Sequence, residues 1–356
     1  MKLQDLVHLV PISLAFCFSC SSGTHESTGA ISSAIGRDDP ASDSGTCTRP
    51  ARDWWRYPVV REIDRAREIW AVSDIHADYG ALLTLLAGAN LIEPSPRSPR
   101  EVRWTGGFST LVVVGDMIDR GPDAVDVLRL LIALHRRAPF DGGRVVVTMG
   151  NHEAEFLANP ENSAAEDADV GVDHELIEAG YDLDATAEGD DNVGRFLRNL
   201  PIAARVDDWF FVHAGNTQGQ TIAEITASVR TGVDATGFGA PVLSATTSIL
   251  ETKFTTGPQW WEATGSPVDL LTTWTQALGV RHLVMGHQPQ AVAISGGVNR
   301  PKDIMASEYG GLLFFIDTGM SIDVDKTGGA LLHVTGVGTP AEAWTEVKPD
   351  GSVVAL

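Results

Sequence analysis

No cysteine follows Cys47 in this chain of 356 residues, and the three present stand at positions 17, 20 and 47. The folded part therefore relies on neither disulfides nor thiolate metal ligands. Positive charge is also scarce. Twenty-six Lys and Arg against 47 Asp and Glu leave a formal charge of -21. Such a surface repels nucleic acid and anionic lipid headgroups, which sets both aside as partners. It repels phosphate esters as well, so any phosphate site must carry its own local positive charge. No internal repeat is visible, which excludes solenoids and propellers. The apolar stretch from Leu6 to Phe18 is too short to span a bilayer as a helix, which takes about 20 residues.

That stretch follows Lys2 and runs into Ser19, Cys20, Ser21, Ser22 and Gly23, the layout of an export signal. Residues 1–20 are expected to be a signal segment, with Cys20 where a bacterial lipoprotein signal places its lipidated cysteine. Cys17 stands where Leu is usual. Simple cleavage is the alternative, and Cys20 and Cys47 could then pair in an oxidising compartment. The expected location is the bacterial envelope, either periplasmic or membrane-anchored through Cys20. Residues 21–52 are rich in Ser, Gly, Thr and Asp and read as a flexible tether. One domain is expected over 53–356.

Within it, short apolar runs alternate with amphipathic stretches. Ile69–Val72, Leu111–Val114 and Val145–Val147 are strand-like, as are later runs at Trp209–Val212, Leu283–Met285, Leu312–Ile316 and Leu331–Val334. Tyr79–Ala89 carries leucines at helical spacing, and Pro122 opens a second helix. The alternation predicts an α/β fold. An insertion at about 154–194 breaks the rhythm with Glu166, Asp167, Asp169, Asp173, Glu175, Asp190 and Asp191. A lid is one reading of it; a solvated surface face is the expected one.

The chemistry lies where the strands end. Ser73-Asp74-Ile75-His76, Gly115-Asp116-Met117-Ile118-Asp119-Arg120-Gly121, Gly150-Asn151-His152-Glu153, His213-Ala214-Gly215 and Gly286-His287-Gln288 each follow a predicted strand. Open α/β sheets bind ligands at the carboxyl ends of their strands. Any one of these residues could be a helix cap or a structural histidine. Five such sites, four with adjacent glycines, argue for a shared centre. Carboxylate, amide and imidazole donors without thiolate suit Mn, Fe or Zn. Two such ions about 3.5–4 Å apart can share a carboxylate and a hydroxide, which attacks phosphorus in line.

These segments resemble the phosphoprotein phosphatase branch of the calcineurin-like metallophosphoesterases over about residues 66–336. Phe196-Leu197-Arg198-Asn199-Leu200-Pro201, Ile316-Asp317-Thr318-Gly319-Met320-Ser321 and the export signal are most similar to its bacterial, Shewanella-like type. The resemblance implies a four-layer fold, two mixed β-sheets sandwiched between helices. It implies that Asp74 and His76 hold the first metal, that Asp116 bridges, and that Asn151, His213 and His287 complete the second, with Mn the first choice. His152 would be the general acid, Asp119 its orienting partner and Arg120 a phosphoryl clamp. The substrate would be a phosphorylated protein (Tyr or Ser/Thr) or a small phosphomonoester.

The chain departs from the pattern at Ser73, Ala77 and Ala214, where the family has glycine. All are small, and little harm is expected. The family's second phosphate-binding arginine has no match. Arg230 and Arg281 lie in the right interval outside any motif, and Glu262 follows Trp260-Trp261 where an arginine would be sought. Asp317, Trp260 and Trp261 could line the cleft or be structural. His135, His174, His282 and His333 read as structural. Two other functions remain in view. A dinucleoside polyphosphate hydrolase shares several motifs but usually has Asn at the position of Asp119. A non-catalytic envelope binding lipoprotein would be expected to have lost ligands.

Overall fold

Strands buried on both faces need apolar residues at every position, and this chain supplies them. The computed structural model describes residues 52–161, 171–252, 259–262, 265–289, 293–294 and 298–356. The expected signal, the lipidation site and all but the last residue of the tether lie outside the described residues, as do Glu166, Asp167 and Asp169 of the insertion. No helix among the described residues is long and apolar enough to cross a membrane.

Among the described residues fourteen strands follow in order: β1 Val60–Ile63, β2 Glu68–Val72, β3 Thr110–Val114, β4 Arg144–Thr148, β5 Ala203–Val206, β6 Trp209–Val212, β7 His282–Met285, β8 Ala293–Ile294, β9 Val298–Asn299, β10 Ala306–Glu308, β11 Leu313–Phe315, β12 Leu331–Thr335, β13 Ala343–Val347 and β14 Val353–Ala355. Two mixed six-stranded sheets result. One has the order β1-β5-β6-β7-β11-β10, the other β14-β13-β12-β2-β3-β4. In the second, β2, β3 and β4 run parallel; in the first, β6, β7 and β11 do.

Alternation along each strand assigns side chains to two cores. Ile69 and Ala71 of β2, Val112 and Val114 of β3, and Trp209 and Phe211 of β6 share one cluster between the sheets. Trp70, Val72, Leu111, Val113, Phe210 and Val212 point the other way, into the larger core shared with the helices. Each such residue fully buried contributes about 1.5–3 kcal/mol. The α/β, two-sheet expectation thus holds, with helices against the outer faces.

Those helices are α1 Tyr79–Gly88, α2 Ala124–Arg137, α3 Asn151–Ala158, α4 Val172–Glu178, α5 Leu183–Glu188, α6 Asn192–Arg198, α7 Ile222–Thr236, α8 Pro241–Ser244 and α9 Pro267–Leu278. Helix α1 starts at Asp78, whose side chain caps Ala81 N. The described acidic residues at 171–198 do more than face solvent. Asp182 and Asp191 cap α5 and α6. The Glu175 carboxylate accepts from Ala124 N at 2.8 Å and Val125 N at 3.1 Å, at the amino end of α2. Val172, Leu176, Val193 and Leu197 are buried, so this segment packs onto the domain. The charge run misleads because helix caps require acidic side chains at positions that solvation would equally explain.

Candidate metal centre

Every candidate leaves the carboxyl end of a parallel strand. Strands β2, β3 and β4 deliver Asp74 with His76, Asp116, and Asn151; β6 and β7 deliver His213 and His287. The turns are cross-braced by main-chain bonds. Asp74 N donates to Gly115 O at 3.2 Å, His76 N to Asp116 O at 3.0 Å, and Gly286 N to His213 O at 2.9 Å. Among the described residues, seven of the fourteen non-glycine residues with positive φ lie in these turns: Asp74, His76, Ala77, Asp116, Asp119, Arg120 and His287. Each costs about 1–2 kcal/mol against right-handed backbone, strain typical of functional sites. Ala77 is affected directly. At φ 56° it sits where glycine would be relaxed, so the small-for-small exchange carries a conformational cost that side-chain size does not reveal.

Asp116 is the hub. Its Oδ2 lies 3.2 Å from His213 Nε2, 3.7 Å from His76 Nε2 and 3.8 Å from His152 Nε2. His213 Nε2 also lies 3.0 Å from Asn151 Oδ1 and 2.9 Å from His287 Nδ1. Asp74 joins through the His287 N–H, 3.0 and 2.9 Å from its two oxygens. The six predicted ligands and His152 therefore meet in one buried cluster. His76 Nδ1 is 3.2 Å from Ile118 O and His213 Nδ1 is 3.1 Å from Val114 O, which turns both Nε2 atoms inward.

The donor set fits divalent cations. Two groupings place ligand atoms within 4.8 Å of one another, His76-Asp116-His152 and Asp116-His213-His287. A single hydrogen on His213 Nε2 cannot serve Asp116, Asn151 and His287 together; a shared cation can. Charge points the same way. Burial works against protonating His213, yet Asp116 and Asp74 carry its pKa up to about 10. Burial, then Asp317 and Asp116, push Asp74 well above the usual carboxylate range. For Asp116 burial is outweighed by His213, His152 and His76, which hold it well below that range. Space is cleared for these groups: a Cβ on Gly286 would meet Asp74 Oδ2 at 2.1 Å, and one on Gly150 would meet Asp116 Oδ1 at 2.1 Å.

His152 has a partner of its own. Its Nδ1 lies 2.8 Å from Asp119 Oδ2, while Asp119 Oδ1 accepts from Val172 N at 2.9 Å. Arg120 is exposed at the rim, and its charge is felt by His76 and His152. The remaining histidines among the described residues are structural or surface groups. His282 bonds Gly311 O and Glu342, His333 bonds Glu68, His135 bonds Val145 O, and His174 is exposed on α4. Trp261 is buried against Phe315 and bonds Tyr309. Arg281 sits in a surface network with Asp208 and Glu342, and Arg230 is exposed on α7.

Three residues play parts that sequence reasoning did not give them. Glu153, fully buried, accepts from Gly150 N at 2.7 Å, Met117 N at 2.7 Å, Asp116 N at 3.0 Å and Ile118 N at 3.4 Å. It clamps the β3 turn to the start of α3. A Glu three residues past a helix start is the readable half of a capping box. Asp317 follows β11, parallel to β7, and its pKa is carried up to about 6 chiefly by burial and held from rising further by Gly319 N and Arg300. The strand-end rule that found the others applies to it too. Arg300 lies in no motif at all.

The chain belongs to the calcineurin-like phosphoesterase family, whose pattern matches residues 67–291, and it is a metal-dependent phosphoric ester hydrolase. An uncharacterised Schizosaccharomyces pombe protein is 30% identical over 281 residues, 74% of each chain. Shewanella-like protein phosphatase 2 of Arabidopsis thaliana is 34% identical over 90 residues, 25% of this chain and 22% of that one. A symmetrical bis(5'-nucleosyl)-tetraphosphatase of Xylella fastidiosa is 30% identical over 149 residues, 41% of this chain and 42% of that one. Among solved structures, the cold-active protein-tyrosine phosphatase of a psychrophilic Shewanella species shares the fold. Its TM-score is 0.62 at 21% identity, covering 83% of this chain and 82% of that one.

Proposed function

We propose that this chain is a phosphomonoester hydrolase acting on phosphorylated protein side chains. Asp74, His76, Asp116, Asn151, His213 and His287 would hold two divalent ions, with Mn²⁺ the first choice. The observation that carries this reading is Asp116 Oδ2 lying 3.7 Å from His76 Nε2 and 3.2 Å from His213 Nε2, ligands proposed for the two different ions, as a bridging carboxylate needs. When bound, the ions supply water activation at neutral pH and neutralise phosphoryl charge. The chain's own residues do the rest. Arg120 presents a guanidinium at the rim to clamp phosphoryl oxygens, the local positive charge that the acidic surface lacks. Asp119 holds His152 so that Nε2 faces the cluster and can give its proton to the leaving oxygen. The depth of Asp116 and Asp119 keeps these charges in a medium where they act strongly.

Dinucleoside polyphosphate hydrolysis is the second reading, favoured by the similarity to the tetraphosphatase. Asp119 speaks against it, because that group usually carries Asn at this position. The test is a panel assay on metal-stripped protein reloaded with Mn²⁺, Fe²⁺ or Zn²⁺. It would use p-nitrophenyl phosphate, phosphotyrosine and phosphoserine peptides, and diadenosine tetraphosphate. Mn²⁺-dependent release of phosphate, fastest from the peptides, is the expected result. Preference for the dinucleotide would replace the first reading by the second, and no release with any metal would end both.

A further inference from the structure

Arg300 is 2% exposed, a depth at which an ion costs several kcal/mol unless its surroundings answer it. Three main-chain carbonyls do so. Nη1 donates to Ile304 O at 2.7 Å and to Asp317 O at 2.7 Å, and Nη2 donates to Gln288 O. The guanidinium carbon lies 5.9 Å from the centroid of the Phe315 ring, and Nε is buried without a hydrogen-bond partner. The negative groups that act on it are Asp317, Asp74 and Glu346.

The three carbonyls come from three segments. Gln288 directly follows His287, Asp317 lies just past the end of β11, and Ile304 precedes β10. One rigid fork thus ties the His287 turn to the neighbouring strand end. That turn needs such a tie, since His287 sits at φ 68°, a conformation that persists only where its surroundings over-determine it. The Asp74 carboxylate holds the N–H of His287 from one side. Arg300 holds the next carbonyl from the other. So enclosed, Arg300 cannot reach a substrate phosphoryl group, and it is not the missing second clamp.

Building on the metal reading above, we infer that Arg300 is a positioning residue of the centre, fixing His287 and Asp317 from behind through main-chain carbonyls. Partners behind metal ligands typically set affinity by about 10- to 100-fold. The test is Mn²⁺ titration of the metal-stripped full chain by calorimetry and EPR, comparing wild type, Arg300→Met and Arg300→Lys. Leu278→Ala, at the buried last position of α9, serves as a control that lowers stability away from the centre. Arg300→Met is expected to weaken one ion by about 10- to 100-fold and leave the other within about twofold. Arg300→Lys, which keeps the charge but not the planar fork, should recover part of the loss. The control should unfold at lower temperature with both affinities intact. Arg300→Met binding both ions like wild type would overturn the inference while leaving the metal reading standing. So would a uniform weakening matched by Leu278→Ala. If Arg300→Met does not fold, Arg300→Lys decides, and unchanged affinity for both ions overturns the inference. Wild-type protein that takes up no ion would sink the metal reading, and this inference with it.

Discussion

Truncating His152 to Ala separates two roles that distance alone leaves equal. Its Nε2 lies 3.8 Å from Asp116 Oδ2, and that of His76 lies 3.7 Å away, so both could be ligands. Their second nitrogens differ. His76 Nδ1 faces a neutral carbonyl, and burial pulls its pKa down to about 3, which suits a neutral ligand. His152 Nδ1 faces Asp119. Burial lowers its pKa, but Asp116 and the Asp119 bond outweigh this and raise it. A cation that neutralises Asp116 leaves Asp119 still paired with the Nδ1–H, which stabilises the imidazolium and so favours a proton on Nε2 that can be donated. A general acid contributes about 100- to 10,000-fold, or about 2.7–5.5 kcal/mol of barrier. A leaving group that departs readily as an anion needs little of this. His152→Ala should therefore cost kcat/KM on phosphotyrosine or phosphoserine peptides at least about tenfold more than on p-nitrophenyl phosphate. Metal content by mass spectrometry should stay at wild-type level. Asp119→Asn should show the same pattern more weakly. Loss of an ion in His152→Ala would make His152 a ligand, and equal slowing of all substrates would refute its assignment as the acid.

Asp116→Asn should remove most activity and at least one ion, measured as phosphate release and metal content; full activity in metal-stripped Asp116→Asn protein would exclude the two-metal reading. Glu153→Gln turns an NH₂ group toward main-chain N–H donors and loses two charge-assisted bonds worth about 1.5–3 kcal/mol each. Denaturant unfolding should show a loss of about 3–6 kcal/mol, and a loss below about 1 kcal/mol would show that the clamp is not needed. Ala77→Gly relieves about 1–2 kcal/mol of left-handed strain but adds chain entropy and removes a buried methyl, so stability should stay within about 0.5 kcal/mol of wild type. Ala133→Gly, inside α2, should cost about 1.5–2 kcal/mol, and equal losses for the two would contradict the strain argument. For export, intact-mass measurement of protein from its host should find the chain beginning at or after Cys20, whereas cytosolic protein retaining Met1 would contradict it.

Strands whose side chains are all buried announce themselves, because burial on both faces leaves no place for polar residues. Trp209–Val212 is an example, found at its exact bounds. Strands with a wet face or few residues do not. Of β5 only Ala203, Ala204 and Val206 are apolar and buried, and β13 and β14 carry mostly half-buried or exposed positions. Which strands pair was equally hidden, since β12 joins β2 by a register such as His333↔Trp70, two positions 263 apart in number. The site was legible because its chemistry repeats at one kind of place, the strand end. Arg300 was not, because its partners are backbone carbonyls, and a carbonyl leaves no mark in the residue type that bears it. The strain at Ala77 was hidden for a related reason: φ is set by the bonds its neighbours make.

The cluster draws on residues from Asp74 to His287 and on both sheets, which has a kinetic consequence. No amino-terminal fragment that ends before His213, however well folded, holds the His213 and His287 part of the cluster. The contacts that close the site have high sequence separation, the kind that form late and slow folding. If the proposed ions bind there, both can be held only after the strands that carry Asp74, Asp116, His213 and His287 have come together around the inter-sheet core that includes Trp209. In a refolding experiment, tight Mn²⁺ uptake should lag the first burial of tryptophan and coincide with the final one. A chain stalled before residue 287 has the His76-Asp116-His152 grouping in its sequence but lacks the one that needs His287.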